Sequence, residues 1–285
     1  MSTAPTVPVR AATLEVPDGH LYYEVRGDGP LVALVASPMD ARAFAPLADL
    51  LATDRTVLTT DPRGIGRSVL HDPTQDSTPE LRAADVARLL AHLDRGPAAV
   101  LGSSGGAVTA LALLQAQPDL VSSVVAHEAP LDELVADRER LRAGTQEIVD
   151  TYLAGDPVQA WRQFMALADI VMPEELFAHL FGGPRSPERA AEERRFFAHE
   201  ILSTTRWQPD LDLLRAAGPR VVVGVGEESA GQLAERTSRA LADALGLVPV
   251  VFPGGHTGFE DDPVAFAARL RAVLDEEVLA QEVPG

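Results

Sequence analysis

Ser104 is the residue whose type and setting most clearly predict chemistry in this chain. It stands in Gly102–Gly106 (GSSGG), between an apolar run at Ala98–Leu101 and a helix-forming segment at Ala107–Leu114. A strand, a sharp turn and a helix form the setting in which a Gly-x-Ser-x-Gly pattern presents a nucleophilic serine. The flanking glycines leave room for a strained turn, which lifts the hydroxyl beside the free N–H groups of a helix N-terminus. The sequence therefore predicts Ser104 as a nucleophile.

A serine nucleophile needs a base, because a free hydroxyl is too weak an acid to ionise near neutral pH. His256 is the candidate among the seven histidines of the chain, since it lies in the segment PGGHTGF after the last predicted strand. His179 and His199 fall in a helical region and could line a pocket. His127 precedes a candidate acid, but strand alternation should turn its ring the other way.

The composition excludes several classes of function. At 285 residues, with 46% hydrophobic residues, the chain is long enough for one large α/β domain with a substantial core. A net charge of −18 argues against binding to nucleic acids or to anionic membranes. Cysteine is absent, which excludes disulfides and thiolate metal sites. No run reaches transmembrane length and no signal peptide is recognisable, so a cytoplasmic location is expected.

Short apolar runs alternate with amphipathic segments over most of the chain. A hairpin is predicted at Thr13–Val25, and buried strands are predicted over residues 31–36, 56–60, 98–101, 120–126, 220–226 and 248–252. Repeated βα units imply a mainly parallel sheet with helices on both faces. The predicted fold class is therefore α/β.

This alternation stops between residues 131 and 207, where no strand is predicted and four successive helices are predicted at about residues 134–153, 157–171, 173–181 and 187–205. The region begins after the strand that ends near Glu128, and it carries several aromatic residues. We interpret it as a helical cap over a pocket. The predicted division is a core of residues 13–130 and 208–280, a cap of residues 131–207 and a flexible leader of residues 1–12.

Taken together, these features resemble the α/β-hydrolase family over about residues 13–279. The resemblance is carried by Gly102–Gly106, by the segment DPRGIGRS at Asp61–Ser68, by Ser37-Pro38 after the first buried strand, and by Gly254-Gly255-His256. It implies a capped, esterase-like serine hydrolase that acts on a small molecule without a metal or cofactor. The oligomeric state stays open.

The DPRGIGRS segment is expected to serve structure rather than catalysis. Gly64 and Gly66 permit a tight turn, while Asp61 and Ser68 can bond the backbone. We therefore assign it no chemistry.

In the family, the histidine of the C-terminal loop is the general base, and the order Ser104 then His256 fits that pattern. The acid departs from the common pattern. Most members carry an aspartate after the strand that corresponds to residues 221–226, but the matching position here is Ser229. Serine cannot stabilise an imidazolium by charge.

Some haloalkane dehalogenases of the family place the acid at the end of the strand after the elbow helix instead. Glu128 occupies that place here. A carboxylate that ends a buried strand is unfavourable to desolvate without a partner, and His256 would supply one. Glu128 is therefore the predicted acid; Glu228 is the alternative, followed by Glu227.

The backbone N–H groups of Ser37 and Gly105 are the oxyanion-hole donors that the resemblance implies. The family usually has His-Gly before the first donor, whereas this chain has Val35-Ala36. Pro38 has no N–H, so a shift of one residue in register would remove a donor.

The leading hypothesis is a hydrolase of an ester, lactone or thioester with a small, largely apolar substrate, working through a Ser104–His256–Glu128 triad and an acyl-enzyme. Two alternatives stay open. One is a lyase, cyclase or carbon–carbon-bond hydrolase on the same scaffold, because a fold does not fix its chemistry. The other is a non-catalytic ligand-binding protein. Haloalkane dehalogenation is disfavoured, because that reaction needs a carboxylate at position 104.

Overall fold

The computed structural model describes residues 7–217 and 220–282, and the strands of this part of the chain form one nine-stranded sheet. The first part of the predicted leader, residues 1–6, lies outside the described residues. Its last part is not a leader, because the first strand begins at Arg10. The strands are β1 Arg10–Val16, β2 Gly19–Arg26, β3 Leu31–Ser37, β4 Thr56–Thr60, β5 Val69–Leu70, β6 Ala98–Ser104, β7 Val121–His127, β8 Val221–Gly226 and β9 Val250–Phe252.

Helices cover the sheet on both faces. They are α1 Ala45–Leu51, α2 Pro79–Leu93, α3 Gly105–Ala116, α4 Arg138–Leu153, α5 Pro157–Leu167, α6 Glu174–Phe181, α7 Pro187–His199, α8 Ile201–Thr205, α9 Leu211–Ala217, α10 Leu233–Leu245, α11 Gly258–Asp261 and α12 Pro263–Glu282. Short 3-10 helices lie at Pro118–Leu120 and Asp132–Leu134. Among the described helices, none is both long and apolar enough to cross a membrane.

The strand order is β1-β2-β4-β3-β6-β7-β8-β9, with β5 paired to β2. From β4 to β9 neighbouring strands are parallel, and β1 and β2 form the antiparallel hairpin that the sequence predicts. The predicted α/β class is thus confirmed. Because parallel strands end at the same edge, β3, β6, β7 and β8 bring their C-terminal residues together there.

The register at this edge is specific. Ser37 of β3 pairs with Ser104 of β6, Ser103 pairs with His127 of β7, and His127 pairs with Gly224 of β8. Every residue of β3 is buried, as expected for a central parallel strand. The core lies on both sides of the sheet: α3 packs on one face, and α1 and α12 pack together on the other.

The helical insertion after Glu128 is present and runs through α4–α8. Its aromatic side chains form a small core of their own, in which the Trp161 ring stacks on Phe196 and meets Phe197 edge-on. Three predicted helices differ in their bounds: α4 begins at Arg138 rather than at residue 134, and two others end earlier than expected. The helix predicted to reach Val171 ends at Leu167, just before Asp169, whose φ is +57°.

The helix predicted over residues 187–205 is broken at Glu200. Its backbone leaves helical geometry there, at φ −131° and ψ −50°. The Glu200 side chain is buried and accepts a hydrogen bond from the Ser37 hydroxyl of β3. A contact with the sheet therefore overrides the helical preference of the segment.

The DPRGIGRS turn has the structural role that the sequence predicts. Asp61 accepts hydrogen bonds from the backbone N–H groups of Ala41 and Arg67, and the Ser68 hydroxyl donates to the Asp61 carbonyl. Arg63 is buried and pairs with Asp85 at 2.8 Å. This network ties the turn to the strands and helices around it.

The need for glycine in the turn after β6 can be tested by adding a side chain at Gly106. A Cβ atom added at Gly106 would lie 2.0 Å from the Val35 carbonyl oxygen, whereas one at Gly183 would meet nothing within 4 Å. We expect Gly106→Ala to lower the free energy of unfolding by about 3 kcal/mol, because the α3 N-terminus must move off β3. Gly183→Ala should change it by less than about 0.5 kcal/mol. Urea unfolding of both variants measures this; equal stability would contradict the packing described.

Candidate active site

Ser104 occupies a strained turn between β6 and α3. Its φ is +56° and its ψ −126°, a conformation that side-chain-bearing residues rarely adopt. Glycine is required beside it, because a Cβ at Gly102 would lie 2.3 Å from the Gly106 carbonyl oxygen. The Ser104 side chain makes no capping hydrogen bond to α3. Its hydroxyl therefore does not cap the helix, and it lies at the C-terminal end of β6.

Glu128 follows β7 directly and is fully buried. It also has a positive φ, +53°, and its backbone N–H donates to the Gly224 carbonyl at 3.0 Å. One carboxylate oxygen, Oε1, accepts the Gly226 N–H at 2.8 Å. Two hydrogen bonds to neighbouring β8 thus fix the position of a carboxylate at the end of the sheet.

His256 lies in the loop after β9 and reaches the same point. Its Nδ1 atom is 2.6 Å from Oε2 of Glu128, so the imidazole donates Nδ1–H to the carboxylate. The His256 side chain is 30% exposed, against 0% for Glu128. With Nδ1 held in this way, Nε2 is the nitrogen left to exchange a proton with a partner.

The charge state of Glu128 follows from these contacts. Burial on its own would raise the pKa of Glu128, but the hydrogen bond from His256 and the charges of His256 and His127 lower that pKa to about 2. The hydroxyl of buried Ser229 acts in the same direction. Glu128 is consequently an anion throughout the pH range in which the protein would work.

The alternative acids are placed differently. Glu227 and Glu228 are both exposed, and the partner of His256 Nδ1 is Glu128. The Glu228 backbone N–H donates to the Gly254 carbonyl at 3.0 Å, which holds the two loops together. Ser229, at the position where the family usually has its acid, is buried near Glu128, and its hydroxyl has no hydrogen-bond partner of good geometry among the described residues.

Ser37 and Gly105, the two residues predicted to bind an oxyanion, lie side by side. A Cβ at Gly105 would be 2.9 Å from the Ser37 carbonyl oxygen and 3.1 Å from the Ser37 Cβ. The Ser37–Pro38 peptide bond is cis. Ser37 is buried, and its hydroxyl donates to Oε1 of Glu200.

Glu200 is a buried partner of Ser37 that sequence reasoning missed. It belongs to the junction of α7 and α8, is 2% exposed, and has a second carboxylate oxygen that is buried without a hydrogen-bond partner among the described residues. The buried guanidinium groups of Arg82 and Arg195 lie close enough for their charges to interact with it. Nothing in the local sequence marks this glutamate, because its partner is 163 residues away.

Ser104, Glu128 and His256 line one cavity of about 100 Å³. The remaining wall is mostly aliphatic or aromatic and comes largely from the helical insertion and α10; it includes Ile148, Phe164, Leu167, Ile170, Ile201 and Leu233. Asp132 and Thr145 also line it. The volume fits a short acyl or alcohol group rather than a large ligand.

The other histidines do not join this cavity. His127 is buried in β7, shares a 3.1 Å hydrogen bond with Ser103, and packs edge-on against Phe252. Burial lowers the pKa of His127 to about 4, so its ring is neutral. His179 is exposed, and His199 contacts Asp76 beside a different surface pocket. Within the described residues, no cluster of three or more His, Asp and Glu could hold a metal ion.

The chemical capacity of the site follows from its three groups. The site contains a hydroxyl at a strained turn, an imidazole, and a buried carboxylate that holds one nitrogen of the imidazole. These groups are the parts of a charge-stabilised nucleophile. Two adjacent backbone segments lie beside the hydroxyl. The arrangement suits nucleophilic attack by the Ser104 hydroxyl on an electrophilic carbon that is bonded to oxygen.

Comparison with known proteins identifies relatives of the whole chain. The chain is 30% identical over 275 residues to the uncharacterized hydrolase YraK of Bacillus subtilis (strain 168), covering 94% of this chain and 97% of that protein. It is 34% identical over 124 residues to the zearalenone hydrolase of Bionectria ochroleuca, which covers 42% of this chain and 47% of that protein.

Among solved structures, a thermophilic esterase from Thermogutta terrifontis superposes with a TM-score of 0.72 at 20% identity, covering 94% of this chain and 99% of that one. This likeness supports the fold. The sequence profile of the alpha/beta hydrolase family matches residues 31–269. The chain is therefore a hydrolase of the α/β-hydrolase family.

Proposed function

We propose that this protein is a serine hydrolase that cleaves a carboxylic ester, lactone or thioester of a small, largely apolar substrate. The observation that carries the proposal is the hydrogen bond from His256 Nδ1 to the buried Glu128, made on the wall of the cavity that also contains Ser104. The hydrogen bonds from His256 and from the Gly226 N–H together offset the unfavourable desolvation of this carboxylate. The bond to Glu128 occupies Nδ1 of His256 and leaves Nε2 as the nitrogen that can take the proton of Ser104.

The catalytic cycle has two halves. In the first, Ser104 Oγ attacks the acyl carbon while His256 Nε2 takes the hydroxyl proton, and the resulting tetrahedral intermediate expels the alcohol or thiol, which receives that proton. In the second, water attacks the acyl-enzyme with the same base, and the acid and free Ser104 are released. Glu128 stays ionised and stabilises the imidazolium in both halves.

The negative charge on the carbonyl oxygen needs donors beside Ser104. We assign this role to the backbone N–H groups of Gly105 and Ser37, which adjoin each other at the ends of α3 and β3. The α3 N-terminus adds a favourable partial charge at the same place. In this proposal the helical segment of residues 131–207 serves as the cap, because it supplies most of the apolar wall.

The nucleophile can be tested by covalent labelling. Wild-type protein is expected to react with a fluorophosphonate probe and to hydrolyse short-chain p-nitrophenyl esters, since Ser104 is activated by His256. Ser104→Ala should lose the label completely and reduce kcat by about 1,000-fold or more.

Ser103→Ala is the matched control, because Ser103 is the neighbouring serine but bonds His127. It should keep the label. Labelling without turnover of any ester, lactone or thioester would favour the non-hydrolytic alternative, and absence of labelling would favour a binding protein.

The identity of the acid can be tested by a pair of isosteric changes. Glu128→Gln is expected to lower kcat by about 1,000-fold or more, because an amide neither stabilises the imidazolium nor fixes the same tautomer. Glu228→Gln should leave kcat within about twofold, since this side chain is exposed. Steady-state kinetics on one ester measures both. Equal losses in the two variants, or a larger loss in Glu228→Gln, would remove Glu128 from the mechanism.

Glu200 is expected to act as a positioning residue through Ser37. Glu200→Ala should lower kcat by about tenfold or more with little change in KM, because the β3 terminus loses its anchor beside the oxyanion. Glu200→Gln keeps a hydrogen-bond acceptor and should recover most of the rate. Ser37→Ala should reproduce the loss, and the double variant should add little to it.

Glu193→Gln is the matched control, since Glu193 is a buried glutamate of α7 whose partners are Arg185, Arg189 and Trp161. It should keep kcat. Additive losses in the Ser37→Ala, Glu200→Ala double variant would show that the two residues act separately.

A further inference from the structure

Asp132 is a buried acid on the cavity wall that the reaction above does not use. It begins the 3-10 helix that follows Glu128, and only 3% of the residue is exposed. Its Oδ1 atom is buried without a hydrogen-bond partner among the described residues. Thr145, another polar residue on the cavity wall, differs because its hydroxyl already donates to the Leu141 carbonyl at 2.9 Å.

The cations near Asp132 are bonded to other acids. Arg142 pairs with Glu133, and Asp137 pairs with both Arg140 and Arg236. Among the described residues, no ion pair reaches the carboxyl of Asp132 itself.

The electrostatic balance around Asp132 favours its neutral form. Burial is the largest cause that raises the pKa of Asp132, and the negative charges of Glu133 and Asp137 raise it further. The positive charges of Arg236 and Arg140 offset this rise only partly, so the pKa of Asp132 is about 7. Across the same cavity stand the anionic Glu128 and its partner His256. Asp132 therefore changes between a hydrogen-bond donor and an acceptor near neutral pH.

A buried carboxyl without a partner destabilises a fold, because the lost hydration is not replaced. Such a group on the wall of a substrate cavity is explained when the bound ligand completes its hydrogen bonds. A hydroxyl is the ligand group that fits, since it accepts from the neutral carboxyl and donates to the carboxylate. The aliphatic wall around it disfavours a charged ligand group.

We propose that Asp132 is a specificity-determining residue that binds an alcohol or phenol hydroxyl on the substrate, at a point of the cavity separate from the reacting carbonyl. This assignment rests on the proposed function for the position of the carbonyl at Ser104. It makes the preferred substrate a hydroxy-substituted ester, lactone or thioester rather than a purely apolar one.

The first test compares two substrates that differ only at their far end. p-Nitrophenyl 6-hydroxyhexanoate and p-nitrophenyl heptanoate have chains of equal length, with a hydroxyl in one and a methyl group in the other. Wild type should prefer the hydroxy ester in kcat/KM by about tenfold, as expected for one hydrogen bond to a buried polar group. Asp132→Leu should abolish that preference and improve hydrolysis of the heptanoate.

Two further variants separate the role of Asp132 from a general effect on the cavity. Asp132→Asn keeps a polar group and should retain part of the preference. Thr145→Val is the matched control at a lining residue whose polar atom is already satisfied, and it should leave the ratio of the two kcat/KM values unchanged.

Several results would overturn the assignment. Equal kcat/KM values for the two esters in wild type, or the same ratio in wild type and Asp132→Leu, would show that Asp132 does not contact the substrate. A stronger preference for p-nitrophenyl 6-aminohexanoate, lost in Asp132→Leu, would assign the residue to a cationic ligand instead of a hydroxyl.

A binding measurement keeps this test independent of the proposed reaction. In Ser104→Ala protein, methyl 6-hydroxyhexanoate should bind about tenfold more tightly than methyl heptanoate, which has a methyl group in place of the hydroxyl, and Asp132→Leu in that background should remove the difference. If no ester is hydrolysed but this difference is found, the reaction is wrong and the hydroxyl site stands. If esters are hydrolysed without any such difference, the hydroxyl site is wrong and the reaction stands.

The stability of Asp132→Asn adds a readout that does not depend on any ligand. The pKa of Asp132 is raised from 3.8 to about 7 by folding, so the unfolded chain ionises first as the pH increases. Ionisation therefore favours unfolding across this window, and the effect levels off above it. The Tm of Asp132→Asn should exceed that of wild type by a margin that grows from pH 4 to pH 7. A lower Tm throughout would make the carboxyl a structural group and contradict the proposal.

Discussion

The hydrogen bond between the buried Glu128 carboxylate and His256 is the interaction on which the site depends. It joins two residues 128 positions apart, and it offsets the unfavourable burial of a charge at the end of a central strand. The same bond selects the imidazole tautomer and fixes its direction. In the proposed mechanism, structural stability and catalytic geometry therefore depend on the same contact.

The parallel sheet makes that contact possible. Strands β3, β6, β7 and β8 end at one edge, so residues that are distant in sequence become neighbours there. Ser104 and Glu128 both have positive φ values, and each follows or ends a strand at this edge. Strain at these two positions directs their side chains out of the sheet plane and into the cavity. The register of the sheet is thus what assembles the chemistry.

Much of the fold follows from local sequence patterns. Continuous apolar runs mark the buried strands, and the glycines around Ser104 mark a turn that admits no Cβ. Glu128 is predicted from the resemblance to the α/β-hydrolase family, together with the need of a carboxylate that ends an apolar strand for a partner. The proposed roles of Glu200 and Asp132 are not predictable from the sequence, because neither residue has a distinctive sequence neighbourhood. Glu200 contacts Ser37, which is distant in sequence, and Asp132 lies in a 3-10 helix that packs against α4 and α10. The helix break at Glu200 has the same cause, a long-range contact that overrides local preference.

The most direct measurement of the central contact is proton NMR of the imidazole Nδ1–H of His256. A proton shared closely between Nδ1 and a buried carboxylate resonates far downfield of ordinary amides. The resonance should be present in wild type and in Glu228→Gln, and absent in Glu128→Gln. A downfield resonance that survives Glu128→Gln, or that disappears in Glu228→Gln, would contradict the assignment of Glu128 as the group that holds the base.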